Sequence, residues 1–344
     1  MEDFARKPPS EQRLFFEQTA ERMRVDPLII EKDFWVCWTL RQLFSLPELG
    51  THLIFKGGTS LSKAYHAIER FSEDIDLSIE REVLGFGGIK SPEAATGNER
   101  KRRLIALAAA CEKTVVERVL PGFVTATKGR LRNGDWSVEI DSEDPQTLHF
   151  RYPSCLPGSG ASYVVRVVKI ETGARSDHFP CESRVVKPYV AEHFPNGFAE
   201  TDTSVRVLTA ERTFWEKATL LHAYCHYPDE KQLPPRLSRH YYDVSCLIRA
   251  GIGAKAAADR GLLSRVVEHK SVFYRSGWAN YETANKGNLR LTPSAERLPE
   301  WRVDYAKMQI MFFGEQPAFD LVLKDVTRFE TRFNSEQEEL IDSS

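Results

Sequence analysis

The feature that most restricts the fold is the close succession of an apolar run, a double glycine and an acidic, alternating run. Residues 52–56 are short and apolar and stop at Gly57 and Gly58, which predicts a buried strand that ends in a turn. Residues 61–69 keep a helical period, and residues 74–80 alternate polar and apolar, as a half-buried strand does. The segment therefore predicts a strand, a glycine turn, a helix and a second strand.

Two aspartates of the second strand indicate a cation site. Asp74 and Asp76 are two residues apart, so on a strand their side chains leave the same face and can share a divalent ion. Mg²⁺, or Mn²⁺, suits carboxylate ligands and keeps positions open for phosphate oxygens. A third carboxylate would complete a two-metal clamp; Glu171 is the first choice, with Asp141 and Glu139 as alternatives. A solvated strand face shows the same acidic residues, so the pair alone is weak evidence.

The turn between the strand and the helix adds a candidate anion site. Gly57 and Gly58 let backbone amides approach a phosphate, and Thr59 or Ser60 can cap the helix whose N-terminus attracts it. Glycine turns at strand ends also occur for steric reasons alone. A metal on one element and phosphate-binding amides on the other together predict phosphoryl or nucleotidyl transfer from a nucleoside triphosphate.

The rest of the first half predicts more strands and helices. Residues 11–46 have the pattern of two helices, and residues 99–119 that of one long helix. Residues 136–141 and 163–171 read as strands, so the sheet has at least four.

The second half is helical in pattern. Residues 210–226, 238–250 and 301–311 are its clearest helices. The sequence therefore predicts an α+β fold: a mixed sheet flanked by helices in residues 1–205 and a helical C-terminal domain in residues 206–344.

The composition excludes several classes of protein. With 42% hydrophobic and 28% charged residues, the 344-residue chain can bury a sizeable core and is not disordered. A net charge of −2 excludes a protein that coats nucleic acid by charge alone. The N-terminus lacks the apolar core of a signal peptide, and no stretch is apolar enough to span a bilayer, so we expect a cytoplasmic protein without membrane contact.

The cysteines and histidines predict structural roles. The six cysteines form no CxxC pair, which favours reduced thiols over a zinc site. His222 and His226 have zinc-site spacing with Cys225 between them, but no second ligand pair lies near in sequence, which favours ordinary core or surface histidines.

An RNA substrate would need local basic patches, since the whole chain is not basic. Each candidate patch is also explained by an ordinary solvated surface. The candidates are Arg100, Lys101, Arg102 and Arg103; Lys128, Arg130 and Arg132; and Arg236, Arg239 and His240.

The acidic and glycine motifs together resemble a known family. KGGTSLSKAY (residues 56–65) followed by RFSEDIDL (70–77) closely resembles motif I of the AbiEii/MenT nucleotidyltransferase-like toxins of bacterial toxin–antitoxin and phage-defence systems. Upstream, EKDF (31–34) resembles the N-terminal helix signature of that family, and KIE (169–171) its second acidic strand. The likeness continues in the second half, where ERTFWEK (residues 211–217), RHYYD (239–243) and the helix at 301–311 resemble the later lysine, aspartate and closing-helix motifs.

The resemblance implies a set of roles. Asp74 and Asp76 would hold metal, Ser72 and the glycine turn would meet the triphosphate, and Lys217 and Asp243 would complete the active site. A lysine supplies a point charge for phosphate, and a carboxylate serves as a base or orients the lysine. Family members transfer nucleotides to RNA, in some cases to the 3′ end of tRNA, and a DNA-binding antitoxin is commonly encoded nearby.

Two other functions remain compatible with the residues. A phosphotransferase acting on a protein or small molecule would use the same motifs, and a non-catalytic nucleotide- or RNA-binding module would keep the fold alone. Retention of Asp74, Asp76 and a third carboxylate argues against the binding module, because crowded carboxylates are costly to keep.

Overall fold

The computed structural model describes residues 1–131, 136–157 and 165–335. The chain divides into two compact units. The first comprises Met1–Thr209 with the short segment Met311–Glu315, and the second comprises Ala210–Ile310 with Gln316–Ser344. The sequence predicted one boundary near residue 205 and did not indicate that residues 311–315 belong with the first unit.

One mixed sheet forms the centre of the first unit. Within the described residues it has seven strands in the order β3-β4-β5-β2-β1-β7-β6. The strands are β1 Leu53–Lys56, β2 Ile75–Ile79, β3 Ser137–Ile140, β4 Thr147–Arg151, β5 Val167–Gly173, β6 Cys181–Val186 and β7 Thr203–Leu208. Two neighbouring pairs, β1 with β7 and β2 with β5, are parallel, and the other pairs are antiparallel. The predicted α+β fold with a mixed sheet is confirmed.

Helices flank this sheet. Those of the first unit are α1 Glu2–Ala5, α2 Pro9–Met23, α3 Pro27–Phe44, α4 Gly57–Lys63, α5 Gly97–Thr114, α6 Leu120–Lys128 and α7 Tyr189–His193, with a π-helical turn, Val115–Val119, joining α5 to α6. Fifteen of the 18 residues of α3 are buried, because the helix is apolar around most of its circumference. Asp26 ends the preceding segment and caps α3 by accepting a hydrogen bond from the amide of Leu28 at 2.8 Å.

Aromatic packing attaches α3 to the sheet. The Trp38 ring stacks on Phe150 of β4 at 5.7 Å between centroids, and Trp35 stacks on Tyr152 at 5.6 Å. Such pairs contribute about 0.5–1.5 kcal/mol each beyond their buried area. The N-terminal helices are therefore part of the core of the first unit.

The second unit is helical, as predicted. Its helices are α8 Ala210–Tyr224, α9 Arg239–Arg249, α10 Ile252–Ala258, α11 Arg260–Phe273, α12 Leu298–Ala306 and α13 Phe319–Ser335. Its core includes the edge-to-face pair of Tyr241 and Trp301, whose ring centroids are 4.8 Å apart. None of the described helices is long and apolar enough to cross a membrane.

Helix α4 differs from the prediction in its bounds and its cap. It spans Gly57–Lys63 rather than residues 61–69, and its N-cap is Lys56. Thr59 and Ser60 therefore lie within the helix, and the prediction that one of them caps it is wrong. Their hydroxyl groups are used elsewhere, as described below.

Candidate active site

The glycine turn lies directly against the acidic strand. Gly57 has a φ of +80°, a conformation that glycine adopts without strain. A Cβ atom at this position would lie 2.0 Å from Oδ2 of Asp76. Glycine is therefore needed at position 57 both for the backbone conformation and for the space that the Asp76 carboxylate occupies.

Gly58 is needed for a different reason. A Cβ atom here would lie 2.8 Å from Nη2 of Arg70 and 2.8 Å from Oγ of Ser72. Arg70 is only 2% exposed, so its guanidinium is a fixed part of the turn's surroundings. Arg70 belongs to the motif at residues 70–77, but the sequence predicts no role for it, because only the fold brings it to Gly58.

The hydroxyl groups after the glycines attach α4 to the start of β2. Thr59 Oγ1 lies 3.0 Å from Ser72 Oγ and donates to the backbone carbonyl of Asp74 at 2.5 Å. Ser60 donates to the carbonyl of Gly57 at 2.9 Å. Both side chains are buried. These contacts hold Ser72, Asp74 and the turn in one rigid arrangement.

Asp74 lies among other carboxylates. Burial, together with the negative charges of Glu73, Glu171 and Asp76, raises the pKa of Asp74 to about 6, although the positive charge of Lys32 opposes this change. A carboxylate in such surroundings is destabilised by its neighbours' charge. A cation would relieve that repulsion.

Asp76 occupies the middle of a polar row across three strands. It is the register partner of Lys56 on β1 and of Glu171 on β5. Nζ of Lys56 lies 3.9 Å from Oδ1 of Asp76, and Lys169 donates to the carboxylate of Glu171. Directly opposed residues share one face of a sheet, so Asp76 and Glu171 project from the same side.

The two alternative carboxylates lie further along the sheet. Glu139 belongs to the edge strand β3, which β4 and β5 separate from β2. Asp141 follows β3, and its carboxylate accepts hydrogen bonds from the backbone amides of Glu143 and Asp144. Its Oδ2 atom lies 3.3 Å from Nε2 of His149. Of the three candidates, Glu171 is the one that the register places beside Asp76.

Two successive residues of α3 contact the surroundings of this site. Lys32 pairs with Glu73 at 2.5 Å and donates to the carbonyl of Val165 at 2.9 Å. Its neighbour Asp33 pairs with Lys63 at the end of α4 at 2.8 Å, with both side chains at most 4% exposed. The motif at residues 31–34 thus supports both elements of the site from one helix.

The carboxylates fit a divalent cation in charge but are not assembled around one. Among the described residues, no three histidine, cysteine, aspartate or glutamate side chains have the arrangement of a metal site. Mg²⁺ is usually held by one or two carboxylates together with substrate phosphates, so a ready-made cluster of three is not required. Asp74 and Asp76, with Glu171 if it left Lys169, would offer oxygen ligands of the kind that Mg²⁺ prefers.

The lysine and aspartate motifs of the second unit form a buried ion pair. Nζ of Lys217 on α8 lies 2.9 Å from Oδ2 of Asp243 on α9, and 3.5 Å from Nδ1 of His240. Asp243 is fully buried, and the Lys217 side chain is 9% exposed. The fold therefore joins two motifs that are 26 residues apart in the sequence.

The basic patches are largely occupied by local contacts. Arg100 donates to the carbonyl of Ala95, and Arg103 to the carbonyls of Ile89 and Ser91. Lys101 and Arg102 on the same helix are exposed, whereas Arg239 at the start of α9 is half-buried. Arg132 lies outside the described residues.

His222 takes part in structural hydrogen bonds. Its Nδ1 accepts from the amide of Arg290 at 3.0 Å, and its Nε2 lies 3.1 Å from both Asn280 O and Thr283 Oγ1. Burial lowers the pKa of this histidine to about 4, so it is neutral. These contacts support the interpretation of His222 as a core histidine rather than a zinc ligand.

One family model matches most of the chain. The family model for the nucleotidyl transferase AbiEii toxin of type IV toxin–antitoxin systems matches residues 38–332. Among curated protein sequences, none matches the chain significantly. The fold is similar to that of MenT4, a nucleotidyltransferase toxin from Mycobacterium tuberculosis H37Rv, with a TM-score of 0.54 and 16% identity over 94% of this chain and 90% of that one.

Two structures from Helicobacter pylori match more weakly. JHP933 has a TM-score of 0.33 and 13% identity, covering 90% of this chain and 98% of that one. A putative nucleotidyltransferase has a TM-score of 0.31 and 14% identity, covering 93% and 98%.

Proposed function

The chain belongs to the AbiEii family of nucleotidyl transferase toxins, and we propose that it transfers a nucleotide from a magnesium-bound nucleoside triphosphate to RNA, at the 3′ end of tRNA. Nucleotidyl transfer and a nucleoside triphosphate substrate follow from the family. The acceptor RNA and the dependence on Mg²⁺ are the parts that we propose.

The carboxylates beside the glycine turn support this proposal most directly. Asp74 has a raised pKa among Glu73, Glu171 and Asp76, and Asp76 fills the space that a side chain at Gly57 would need. Carboxylates that can hold a metal thus lie directly against a glycine turn. That combination suits a metal–triphosphate complex better than either component alone.

We assign Asp74, Asp76 and Glu171 to the metal. When bound there, Mg²⁺ supplies charge neutralisation and aligns the attacking and leaving oxygens. Glu171 would have to exchange its contact with Lys169 for that role. An ionised carboxylate oxygen of Glu171 can also accept the proton of the attacking RNA hydroxyl.

The glycine turn, residues 57–60, is assigned to the triphosphate. The amides of Gly57 and Gly58 would donate to phosphate oxygens, and the hydroxyl of Ser72 lies against Gly58. Thr59 and Ser60 act by fixing the backbone, since their buried hydroxyl groups bind other parts of the protein.

Lys217 and Asp243 are assigned to the same reaction. The buried carboxylate of Asp243 fixes the direction of the Lys217 ammonium, which would meet phosphate as a point charge. For the acceptor RNA, Lys101 and Arg102 are the better candidates among the basic residues of α5, because both are exposed, although Arg102 pairs with Glu99 at 2.6 Å. Arg100 and Arg103 are engaged with backbone carbonyls of their own surroundings. Membership of a type IV toxin–antitoxin family also implies an antitoxin partner.

The test is incubation of the purified protein with total tRNA, Mg²⁺ and each α-labelled nucleoside triphosphate in turn. Asp76→Asn is compared with Asp141→Asn, an aspartate of the same sheet that follows the distant strand β3. We expect label in RNA with the wild type and Asp141→Asn, none with Asp76→Asn, and none in EDTA until Mg²⁺ is restored.

The other outcomes separate the alternatives. Label from the γ-phosphate on protein or a small molecule, with none from the α-phosphate in RNA, would refute RNA nucleotidyl transfer and favour a phosphotransferase. Equal activity of Asp76→Asn and the wild type would refute the site assignment.

A further inference from the structure

A group of buried cations lies in the second unit around α8. Arg212, Lys217 and Lys270 are 0%, 7% and 8% exposed. Arg212 and Lys217 belong to α8, and Lys270 of α11 donates to the backbone carbonyl of Glu216 at 2.6 Å, next to Lys217 in the chain. Cations held together away from water are unfavourable unless negative charge compensates them.

Arg212 and Lys217 are each paired with the carboxylate of another residue. Nε of Arg212 lies 3.3 Å from Oε1 of Glu216, and Nζ of Lys217 lies 2.9 Å from Oδ2 of Asp243. Lys270 differs: within the described part of the chain, its ammonium contacts the Glu216 carbonyl and lies 5.5 Å from the ring centroid of Tyr281. Both contacts are with neutral groups.

The surroundings of Lys270 disfavour its charge. Burial, together with the positive charges of Arg212 and Lys217, lowers the pKa of Lys270 to about 7, although the negative charge of Glu216 opposes this change. The ring of Tyr281 faces the Lys270 ammonium. Burial raises the pKa of Tyr281 to about 12, so this side chain is neutral. An anion bound beside Lys270 would restore its full charge.

We propose that Lys217 and Lys270 bind a phosphate chain, with the fully buried Arg212 contributing positive charge behind them, and that Lys270 is a phosphate-binding residue of this site. Phosphate oxygens accept hydrogen bonds from lysine and arginine, and such charge-assisted bonds are the strong ones. That the phosphate chain is the triphosphate of a nucleotide rests on the proposed function. Binding of the phosphate chain itself does not.

The experiment measures binding of inorganic tripolyphosphate to the full chain by titration calorimetry, without RNA. Lys270→Gln keeps a donor for the Glu216 carbonyl but removes the charge, whereas Lys270→Met removes both. The control is Lys255→Gln, an exposed lysine of α10. We expect both Lys270 variants to bind about tenfold more weakly or worse, and Lys255→Gln to bind within about twofold of the wild type.

A second readout is proton uptake, obtained at pH 8 from heats in buffers of different ionisation enthalpy. At this pH a group with a pKa near 7 is mostly neutral, so the wild type should take up more protons on binding than Lys270→Gln. Equal uptake would overturn the role of Lys270.

Three further results would overturn the proposal. The first is that the wild type does not bind tripolyphosphate. The second is that Lys270→Gln binds it with wild-type affinity. The third is that only Lys270→Met binds it more weakly, which would indicate that Lys270 has a structural role through its contact with Glu216. If both variants unfold, Lys270→Arg replaces them, and loss of binding in that charged variant would overturn the proposal.

The inference and the proposed function fail separately. A protein that binds tripolyphosphate through Lys270 but labels no RNA would refute RNA transfer alone. A protein that labels RNA while Lys270→Gln keeps full affinity would refute only the role of Lys270.

Discussion

Replacement of Gly57 by alanine should separate the catalytic role of the glycine turn from its role in stability. Two effects act at this position. The φ of +80° costs an alanine about 1–2 kcal/mol, and the new Cβ would lie 2.0 Å from Oδ2 of Asp76. Since a Cβ contact shorter than 3.0 Å is not tolerated, the Asp76 carboxylate must move by about 1 Å.

That displacement sets the expected loss of activity. A catalytic group misplaced by about 1 Å can cost about 100-fold in rate, equivalent to about 2.7 kcal/mol of transition-state stabilisation. We therefore expect kcat/KM for nucleotide incorporation into tRNA to fall about 100-fold in Gly57→Ala.

Gly85 provides the matched control. Its φ is +83°, almost the same as that of Gly57, but a Cβ there would meet nothing within 4 Å. Gly85→Ala should therefore lower the free energy of unfolding by a similar 1–2 kcal/mol in urea titrations, and leave kcat/KM unchanged. If Gly57→Ala kept kcat/KM within about threefold of Gly85→Ala, the contact between Gly57 and Asp76 would not position a catalytic carboxylate.

Three other predictions concern charge. Breaking the buried Lys63–Asp33 pair by Lys63→Met should lower the free energy of unfolding, measured in urea, by about 3–5 kcal/mol. The double variant Lys63→Met with Asp33→Leu should recover part of that loss, and a double variant that recovers none would contradict a coupled pair. Asp74 has a folded pKa of about 6, above its unfolded value, so the metal-free protein should lose stability as pH rises from about 4 to about 6. At pH 8 the free energy of unfolding of Asp74→Asn should therefore exceed that of the wild type by up to about 3 kcal/mol, and its melting temperature should be higher. A lower melting temperature would refute the unfavourable burial and crowding of this carboxylate. Replacing the exposed Lys101 and Arg102 by glutamine should weaken tRNA binding and reduce the slope of log affinity against log salt concentration by about 2, without changing which nucleotide is used. An unchanged slope would exclude α5 from the interface with tRNA.

The core of the candidate site was readable from the sequence because its patterns are local. Alternation over residues 74–80 predicted β2, and the double glycine marked the end of β1. The bounds of α4 were wrong because Thr59 and Ser60 bond to Asp74 and Gly57 instead of capping a helix. Local capping rules do not include such tertiary acceptors.

Several strands were missing from the sequence prediction for a similar reason. Strand β6 has three exposed residues in a row and carries no apolar period. Strands β4 and β7 do alternate apolar and polar residues, but over only five and six positions, and the sequence prediction did not include them. They become strands because neighbouring strands offer a full ladder of hydrogen bonds. Sheet partners are far away in the chain, and a local pattern does not record them.

The sequence alone determined the family, the mixed α+β fold and the residue types that the chemistry requires. Only the tertiary structure distinguishes the positions of the three candidate carboxylates, because the register of β2 with β5 places Glu171, rather than Asp141 or Glu139, beside Asp76. It likewise brought Lys32 to Glu73 and Lys270 to Glu216, contacts that span 41 and 54 residues. Burial and charge depend on distances in space, so the pKa values of Asp74 and Lys270 are properties of the fold.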